Sequence, residues 1–505
     1  MRKYFILMLL MFLLVGCKNL EEPSTGGTIP VVPTEPVEPT IPVVPTEPVE
    51  PTNPPVNTEK GTLGILTIND LHGAIQATDK QPDIDKLAGE IRKQAESFDD
   101  CVLLAGGDMW QGTALSNINR GVLVTDIMNE LKFDAMVIGN HEFDWGVDEI
   151  AKFQDGNLEN GEANFPFLAA NIYDNKGTSS TLDDELVPFA KPYVILEKGA
   201  WKIGVIGYIG KYQKYDIAAS IVKNFDFKEP QNIVLNYANK LKEECDIVIA
   251  YGHEFEEENN TLFANSSSID IIYNAHTHRA YIEKENNKYI VQSASNGNYL
   301  GVTSITTDGI SVENIHYNSF SNSDEGVLNI VNEYKNSCYD LLYGKLSTAS
   351  TYCTRFAAGR WAATAVKNYT GADFGIQNNG GIRSVAFPID AGDIINLAKL
   401  YDMMPFDNTI WLVKMSGAKL KSILNKHEDY RSSYNLDDVN IVDNQMYVVA
   451  CCDYIVDGNY DFNGLEIIKT GLLVRDAMMD DVIAQENKYQ GFSPFNSCVE
   501  NKYKN

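Results

Sequence analysis

Basic residues are in short supply in this chain of 505 residues: 41 Lys and Arg stand against 69 Asp and Glu, for a formal net charge of −28. A surface so acidic repels phosphodiester backbones at long range. Non-specific nucleic-acid binding through a basic face is thereby excluded, and small anions depend on metals or local arginines. Cysteine is sparse too, at eight, with no repeated spacing and no C-x-x-C pair, so neither a zinc ribbon nor a disulfide knot is supported. The seven cysteines beyond Cys17 are expected mainly as buried thiols, the adjacent Cys451 and Cys452 being poorly placed for a bridge. Long hydrophobic runs are missing as well. The run from Tyr4 to Val15, twelve residues behind Arg2 and Lys3, falls short of the roughly 20 apolar residues that a spanning helix needs. Histidine numbers only seven. What is plentiful is ordinary: 44% hydrophobic and 22% charged residues supply more than one sizeable core, and the length suits two domains.

Twelve apolar residues behind two cations have the length of a signal-peptide core, and residues 1–16 are expected to be removed. The stretch Leu14-Val15-Gly16-Cys17 resembles a bacterial lipobox. That implies lipid attachment at Cys17 and an extracytoplasmic chain anchored to a membrane of a bacterial cell envelope. Residues 17–60 follow as a spacer: eleven of the 19 prolines lie between Pro23 and Pro55, and the unit IPVVPTEPVEPT occurs twice, Ile29–Thr40 and Ile41–Thr52. Proline at this density removes backbone donors and favours polyproline II. A disordered, semi-rigid stalk is expected, lifting the body about 100 Å at roughly 3.1 Å per residue.

From Gly61 the pattern turns to short apolar runs alternating with amphipathic stretches. Gly64–Asn69, Val102–Ala105, Ala135–Ile138, Lys202–Gly207, Asp246–Ala250 and Asp270–Tyr273 read as buried strands. Asp83–Ser97, Val122–Leu131 and Asn232–Glu244 read as helices between them. This is an α/β arrangement around a mostly buried sheet. A further helix, Glu325–Tyr343, leads into a second region with strand, helix and Gly-rich loop signals of its own.

Five of the seven histidines fall in four short segments that each end an apolar run, and a glycine-aspartate pair ends another. Asp70 and His72, at i and i+2, project to one side of an extended chain. Asp108 follows Gly106-Gly107, where glycine lets the backbone turn and leaves a carboxylate bare. Asn140, His141 and Asp144 offer an amide, an imidazole and a carboxylate, and His253, His276 and His278 complete the set. A D-x-H or a strand-end G-D alone is as well explained by a turn. Together they form the oxygen and nitrogen donor mix that divalent metals accept, at the strand ends where open α/β sheets gather ligands.

D-x-H, G-D, G-N-H-E-F-D, G-H and H-x-H in this order resemble the calcineurin-like metallophosphoesterases. The form Gly139-Asn140-His141-Glu142-Phe143-Asp144-Trp145-Gly146 and the second region narrow the resemblance to the 5'-nucleotidase family, over about Gly61 to Phe462. It implies a four-layer α/β/β/α domain at 61–322, an interdomain helix at 323–345, and a second, α+β, nucleotide-binding domain at 346–505. One divalent ion would be held by Asp70, His72 and His278, the other by Asn140, His253 and His276, with Asp108 bridging. Mn, Zn, Co, Fe and Mg all suit such donors. His141 would stabilise the transferring phosphoryl group or protonate the leaving oxygen, and Asp144 would orient it. Ala275 stands where the family usually has Gly, and some members carry Gln at the place of His278.

In the second domain Asn378-Asn379-Gly380-Gly381-Ile382-Arg383 resembles the family's N-G-G-G-I-R loop. This implies substrate contacts from Asn378, Gly381 and the Arg383 fork. Pro405-Phe406-Asp407-Asn408 matches P-F-x-N, which implicates Asn408 and makes Phe406 one stacking ring, with Tyr454 as the other. Two rings accept any base, at roughly 1 to 3 kcal/mol each. Two departures stand out. Gly458-Asn459-Tyr460-Asp461-Phe462 replaces G-G-D-G-Y, leaving Tyr460 or Asp461 at the usual ribose-binding position. Arg355 lies four residues before Gly359 where the family spaces an arginine by seven, and Arg360 competes for that role. His316 and His427 lie outside all motifs and read as surface or packing residues.

The implied function is an exported, lipid-anchored, metal-dependent nucleotide phosphohydrolase, foremost a 5'-nucleotidase. A 2',3'-cyclic-nucleotide 2'-phosphodiesterase/3'-nucleotidase or a UDP-sugar hydrolase would share every metal residue. A surface lipoprotein that binds nucleotides without turnover is the reading from another class. The resemblance also implies a large rotation of the second domain, with Glu325–Tyr343 as connector.

Overall fold

Strands that are apolar at nearly every position must be covered on both faces, and the first half of the chain achieves this by stacking two sheets. The computed structural model describes residues 60–158, 161–254, 257–306, 309–434 and 439–503. The expected signal segment, Cys17 and the proline-rich stretch lie outside them. In the strand Leu63–Ile68, Leu63 and Ile65 share a core with Val102, Leu104, Val205 and Ile249, whereas Leu66 and Ile68 pack with Leu87, Ile91 and Leu123. The other sheet mirrors this: Ile247 and Ile249 face the shared core, while Val248 and Ala250 pack with Val234, Leu241 and Phe263. The layers are therefore helix, sheet, sheet, helix. Ile84–Ala95 and Val122–Leu131 cover one outer face, Pro230–Leu241 and Glu257–Asn265 the other. Periodicity alone anticipates one buried sheet, because a strand reads the same whether a helix or a second sheet covers its far face.

Each sheet has six strands. Leu63–Ile68, Asp100–Ala105 and Ala135–Val137 run parallel as neighbours in one, and Trp201–Ile209, Ile247–His253 and Ile271–Asn274 do so in the other. All six carboxyl ends consequently open on one edge of the stack. Val122–Leu131 and Glu325–Tyr343 occupy the residues anticipated for them. The third anticipated helix begins two residues early at Pro230, whose fixed φ and missing donor suit a first helical position. Glu325–Tyr343 is capped by Asp324, whose carboxylate accepts from Val327 N at 2.9 Å and Arg92 Nε at 3.0 Å. Its Val327 and Val331 are buried in the first domain's outer core.

Beyond Gly344 a five-stranded sheet has the order Tyr430–Ser432, Phe374–Asn378, Met446–Cys452, Thr409–Ser416, Glu466–Leu473. The helix Arg355–Thr370 starts at Thr354, whose hydroxyl accepts from Ala357 N, and stops at Gly371 with φ +69°. The seven described cysteines are free thiols, four buried and three half-buried, and burial pushes those of Cys101 and Cys353 up to about 12. Among the described residues no helix is long and apolar enough to cross a membrane.

Candidate metal centre and adjoining cleft

The chain turns sharply where the parallel strands end. Asp70, His72, Asp108, His276 and His278 all have positive φ, between 50° and 75°, a region that residues with a side chain rarely adopt. Such backbone persists only where surrounding bonds over-determine it. Here Asp70 N, His72 N and Gly73 N donate to the carbonyls of Gly107, Asp108 and Met109 at 2.9, 3.0 and 2.9 Å. His276 N donates to the Asp70 carboxylate at 2.9 Å. Glycine is required alongside, since a side chain at Gly139 would collide with Asp108 Oδ1.

Donor atoms converge in three groups, each spanning no more than 4.8 Å: Asp70, His72 and His278; Asp108, His253 and His276; and His72, Asp108 and His141. Asn140 Oδ1 joins the second, 3.2 Å from His253 Nε2 and 3.1 Å from His276 Nδ1. The seven residues read as metal ligands thus meet in one place, and Asp108 belongs to two groups.

The hydrogen bonds behind these residues suit a cation. His72 Nδ1 lies 3.0 Å from Gln111 O, and His253 Nδ1 2.7 Å from Gly106 O. A carbonyl only accepts, so each Nδ1 carries a proton and each Nε2 faces inward, where it would offer its lone pair to a cation. His253 Nε2 then meets Asn140 Oδ1 and Asp108 Oδ2, both at 3.2 Å. Three acceptors so close require a proton or a cation between them, and a divalent metal would take that proton's place.

The charges are strongly coupled. Burial would raise the Asp108 pKa, but His253 and His141 hold it well below the usual carboxylate range. Burial works against a charged His141, yet Asp144 and then Asp108 lift its pKa to about 10. His141 Nδ1 is 2.8 Å from Asp144 Oδ2. His72 goes the other way: burial lowers it to about 4 despite Asp108. Glu142, quoted in the motif but given no role there, is fully buried. Its carboxylate accepts from Asp108 N, Met109 N and Gly139 N, each at 2.8 Å, and so joins the Gly106–Asp108 turn to the Asn140–His141 turn.

The second domain divides its expected substrate residues into three sets. Phe406 stands at the metal centre, its ring 6.3 Å and 19° from that of His141, with Arg383 Cζ 5.6 Å from the Phe406 ring. Asn378 and Tyr454 line a separate cavity of about 590 Å³, whose opposite wall is first-domain chain around Ile217–Lys223. Asn408 and Arg355 sit behind these. Asn408 Nδ2 donates to Asp453 Oδ1, which also accepts from Tyr454 N, both at 2.8 Å. Arg355 donates from Nε and Nη2 to Ile382 O and Asn379 O, bracing the loop that carries Gly381 and Arg383. Neither Tyr460 nor Asp461 lines the cavity: Tyr460 is 87% exposed, and Asp461 is paired with Lys426 and His427. His427, read as surface or packing, does line it. Nothing in its spacing marks it, because its partner comes from a turn 34 residues away.

Residues 63–280 match the calcineurin-like phosphoesterase family, and residues 343–437 match the 5'-nucleotidase C-terminal domain. A snake venom 5'-nucleotidase of Crotalus adamanteus is 26% identical over 436 residues, covering 75% of this chain and 72% of that protein. A 5'-nucleotidase of Vibrio parahaemolyticus is 26% identical over 419 residues, covering 70% and 71%. The crystal structure of a 5'-nucleotidase precursor from Thermus thermophilus superposes with a TM-score of 0.66 at 18% identity, over 87% of this chain and 99% of that one.

Proposed function

A chain that joins a calcineurin-like phosphoesterase domain to a 5'-nucleotidase C-terminal domain belongs to the 5'-nucleotidase family, and from that premise we propose that it releases phosphate from the 5' position of nucleotides outside the cytoplasm. Membership makes it a metal-dependent hydrolase of phosphate monoesters. The observation that carries the finer reading is Asp108, whose carboxylate meets His253 and His276 in one donor group and His72 and His141 in another, His72 being shared in turn with Asp70 and His278. Two divalent ions bound there supply positive charge for the phosphate oxygens and make water a nucleophile at neutral pH. Asp70, His72 and His278 would hold one, Asn140, His253 and His276 the other, with Asp108 available to both.

The remaining steps fall to the chain's own groups. His141 has Nδ1 committed to Asp144, so Nε2 is the atom that donates to the transferring phosphoryl group or to the leaving 5' oxygen. Arg383 lies close enough to Asp144 for their charges to act on each other's pKa, and it sets a second cation on that side. Phe406, parallel to His141, gives the nucleoside an apolar face as it leaves the centre. The purified full-length chain loaded with Mn is expected to release phosphate from adenosine 5'-monophosphate and to leave the 3'-monophosphate and the 2',3'-cyclic form largely intact. Preference for either of the latter would move the assignment to the 3'-nucleotidase branch. No metal-dependent release from any nucleotide would make the protein a binder.

The same reading places the enzyme on a membrane, through lipidated Cys17 behind a cleaved residue 1–16 signal. Replacing Cys17 with Ser is expected to move the protein from the membrane to the soluble fraction of fractionated cells. Unchanged membrane retention would refute a lipid anchor at that residue.

A further inference from the structure

A cavity of about 590 Å³ is within the size range of small-molecule sites, and much of its polar lining is already committed. Asp457 Oδ2 accepts from Ser220 N at 2.6 Å, and Lys214 Nζ donates to Phe225 O. His427 differs in having one nitrogen to offer. Its ring lies flat on that of Tyr430, centroids 4.5 Å apart and planes within 10°. The Tyr430 hydroxyl is itself met by Asn459 Nδ2 at 3.4 Å, so the stack has little freedom to turn.

Asp461 fixes where the His427 proton sits. Its Oδ2 lies 2.9 Å from His427 Nε2 and 2.7 Å from Lys426 Nζ, with Lys419 Nζ 3.8 Å from Oδ1. The hydrogen bonds from Lys426 and His427 keep that carboxyl ionised, with its pKa at about 2. A carboxylate only accepts, so Nε2 carries the proton. In the neutral ring Nδ1 is then an acceptor, and no described residue hydrogen-bonds to it. His427 thus brings to the cavity wall an uncommitted acceptor on a ring held flat by its stack, suited to a ligand group that donates. In a nucleotide the donors are the sugar hydroxyls and, differing from base to base, amino groups or ring N–H groups. Only the hydroxyls are common to all ribonucleotides.

We propose that His427, held by Tyr430 and Asp461, accepts a hydrogen bond from a ribose hydroxyl and thereby makes this hydrolase favour ribonucleotides over their 2',3'-dideoxy analogues. The proposal rests on the nucleotide reading above. Asp461, at a position where a direct sugar contact was expected, acts here as a positioning residue one side chain removed.

The test compares kcat/KM for adenosine 5'-monophosphate, its 2',3'-dideoxy analogue and inosine 5'-monophosphate in the wild-type protein, His427→Phe and Asp461→Asn. Phenylalanine retains the flat stack on Tyr430 and removes the nitrogen. One hydrogen bond corresponds to roughly a 3- to 10-fold ribo/dideoxy preference, expected in the wild type, abolished in His427→Phe and reduced in Asp461→Asn. An equal ratio in wild type and His427→Phe would overturn the proposal. So would a change confined to the adenosine/inosine ratio, which would assign Nδ1 to the base. If the wild type hydrolyses no nucleotide, the functional reading fails by itself, and calorimetric binding of adenosine against 2',3'-dideoxyadenosine decides the His427 contact without turnover. Equal affinities there would overturn it too.

Discussion

Asp108→Asn is expected to lower kcat on every nucleotide by at least about 1000-fold and to leave the purified protein with fewer bound metal ions per chain than the wild type. The substitution keeps the side chain's shape and removes its charge, so it isolates the electrostatic role. Asp108 Oδ1 accepts from His141 N at 2.8 Å, and Oδ2 lies 3.2 Å from His253 Nε2. An amide can offer one acceptor to that pair of neighbours, and its NH₂ meets a donor or repels a cation on the other side. Buried between His253 and His276 on one side and His72 on the other, it cannot be replaced by solvent. Phosphate release measured alongside elemental analysis of the dialysed protein reads both effects. A variant with full metal content and near-normal turnover would rule out a bridging role.

His141→Ala is expected to cost about 10²- to 10⁴-fold in kcat, the usual worth of a positioned proton donor, and to affect KM much less. Asp144→Asn should be milder, about 10- to 100-fold, as for partners that orient a functional imidazole. The pH profile separates the two roles of Asp144. His141 has a pKa raised to about 10, with burial opposing and Asp144 foremost among the groups raising it. Its charged form is complete at lower pH and is lost as pH rises through that value. Removing the Asp144 charge leaves burial less opposed, so the pKa falls and the alkaline decline in rate begins at lower pH. An unmoved alkaline limb with a lower kcat would confine Asp144 to orientation, and an unaltered kcat in His141→Ala would remove His141 from the reaction.

What could be read from residues alone was the set of polar groups that interrupt apolar runs. Asp70, His72, Asp108, Asn140, His253, His276 and His278 each follow or end a strand, and a parallel sheet converts that regularity into proximity. The groups behind them were not legible. Glu142 contributes three backbone contacts that depend on two turns meeting, and the carbonyls of Gly106 and Gln111 that set the tautomers of His253 and His72 leave no mark on composition. The doubling of the sheet came only with the resemblance to the calcineurin-like metallophosphoesterases, because alternation records burial and says nothing of what does the burying. His427 was hidden for a related reason: its neighbours Tyr430 and Asp461 become a unit only through stacking and an ion pair. Asn408 and Arg355 carry the right chemistry to touch a ligand, and in addition part of their donor set holds Asp453 and the Asn379–Ile382 loop.

The five left-handed residues at the strand ends bear on how portable such a centre is. An inventory of seven side chains describes what would hold the ions but omits the handedness of the chain that presents them. Transplanted onto a scaffold whose loops follow ordinary right-handed or extended backbone, the same aspartates and histidines would aim along different bond vectors and miss a common point. The reusable unit is therefore the pair of interlocked turns, carbonyl partners included, and a designer borrowing this centre would have to copy the bends before the ligands.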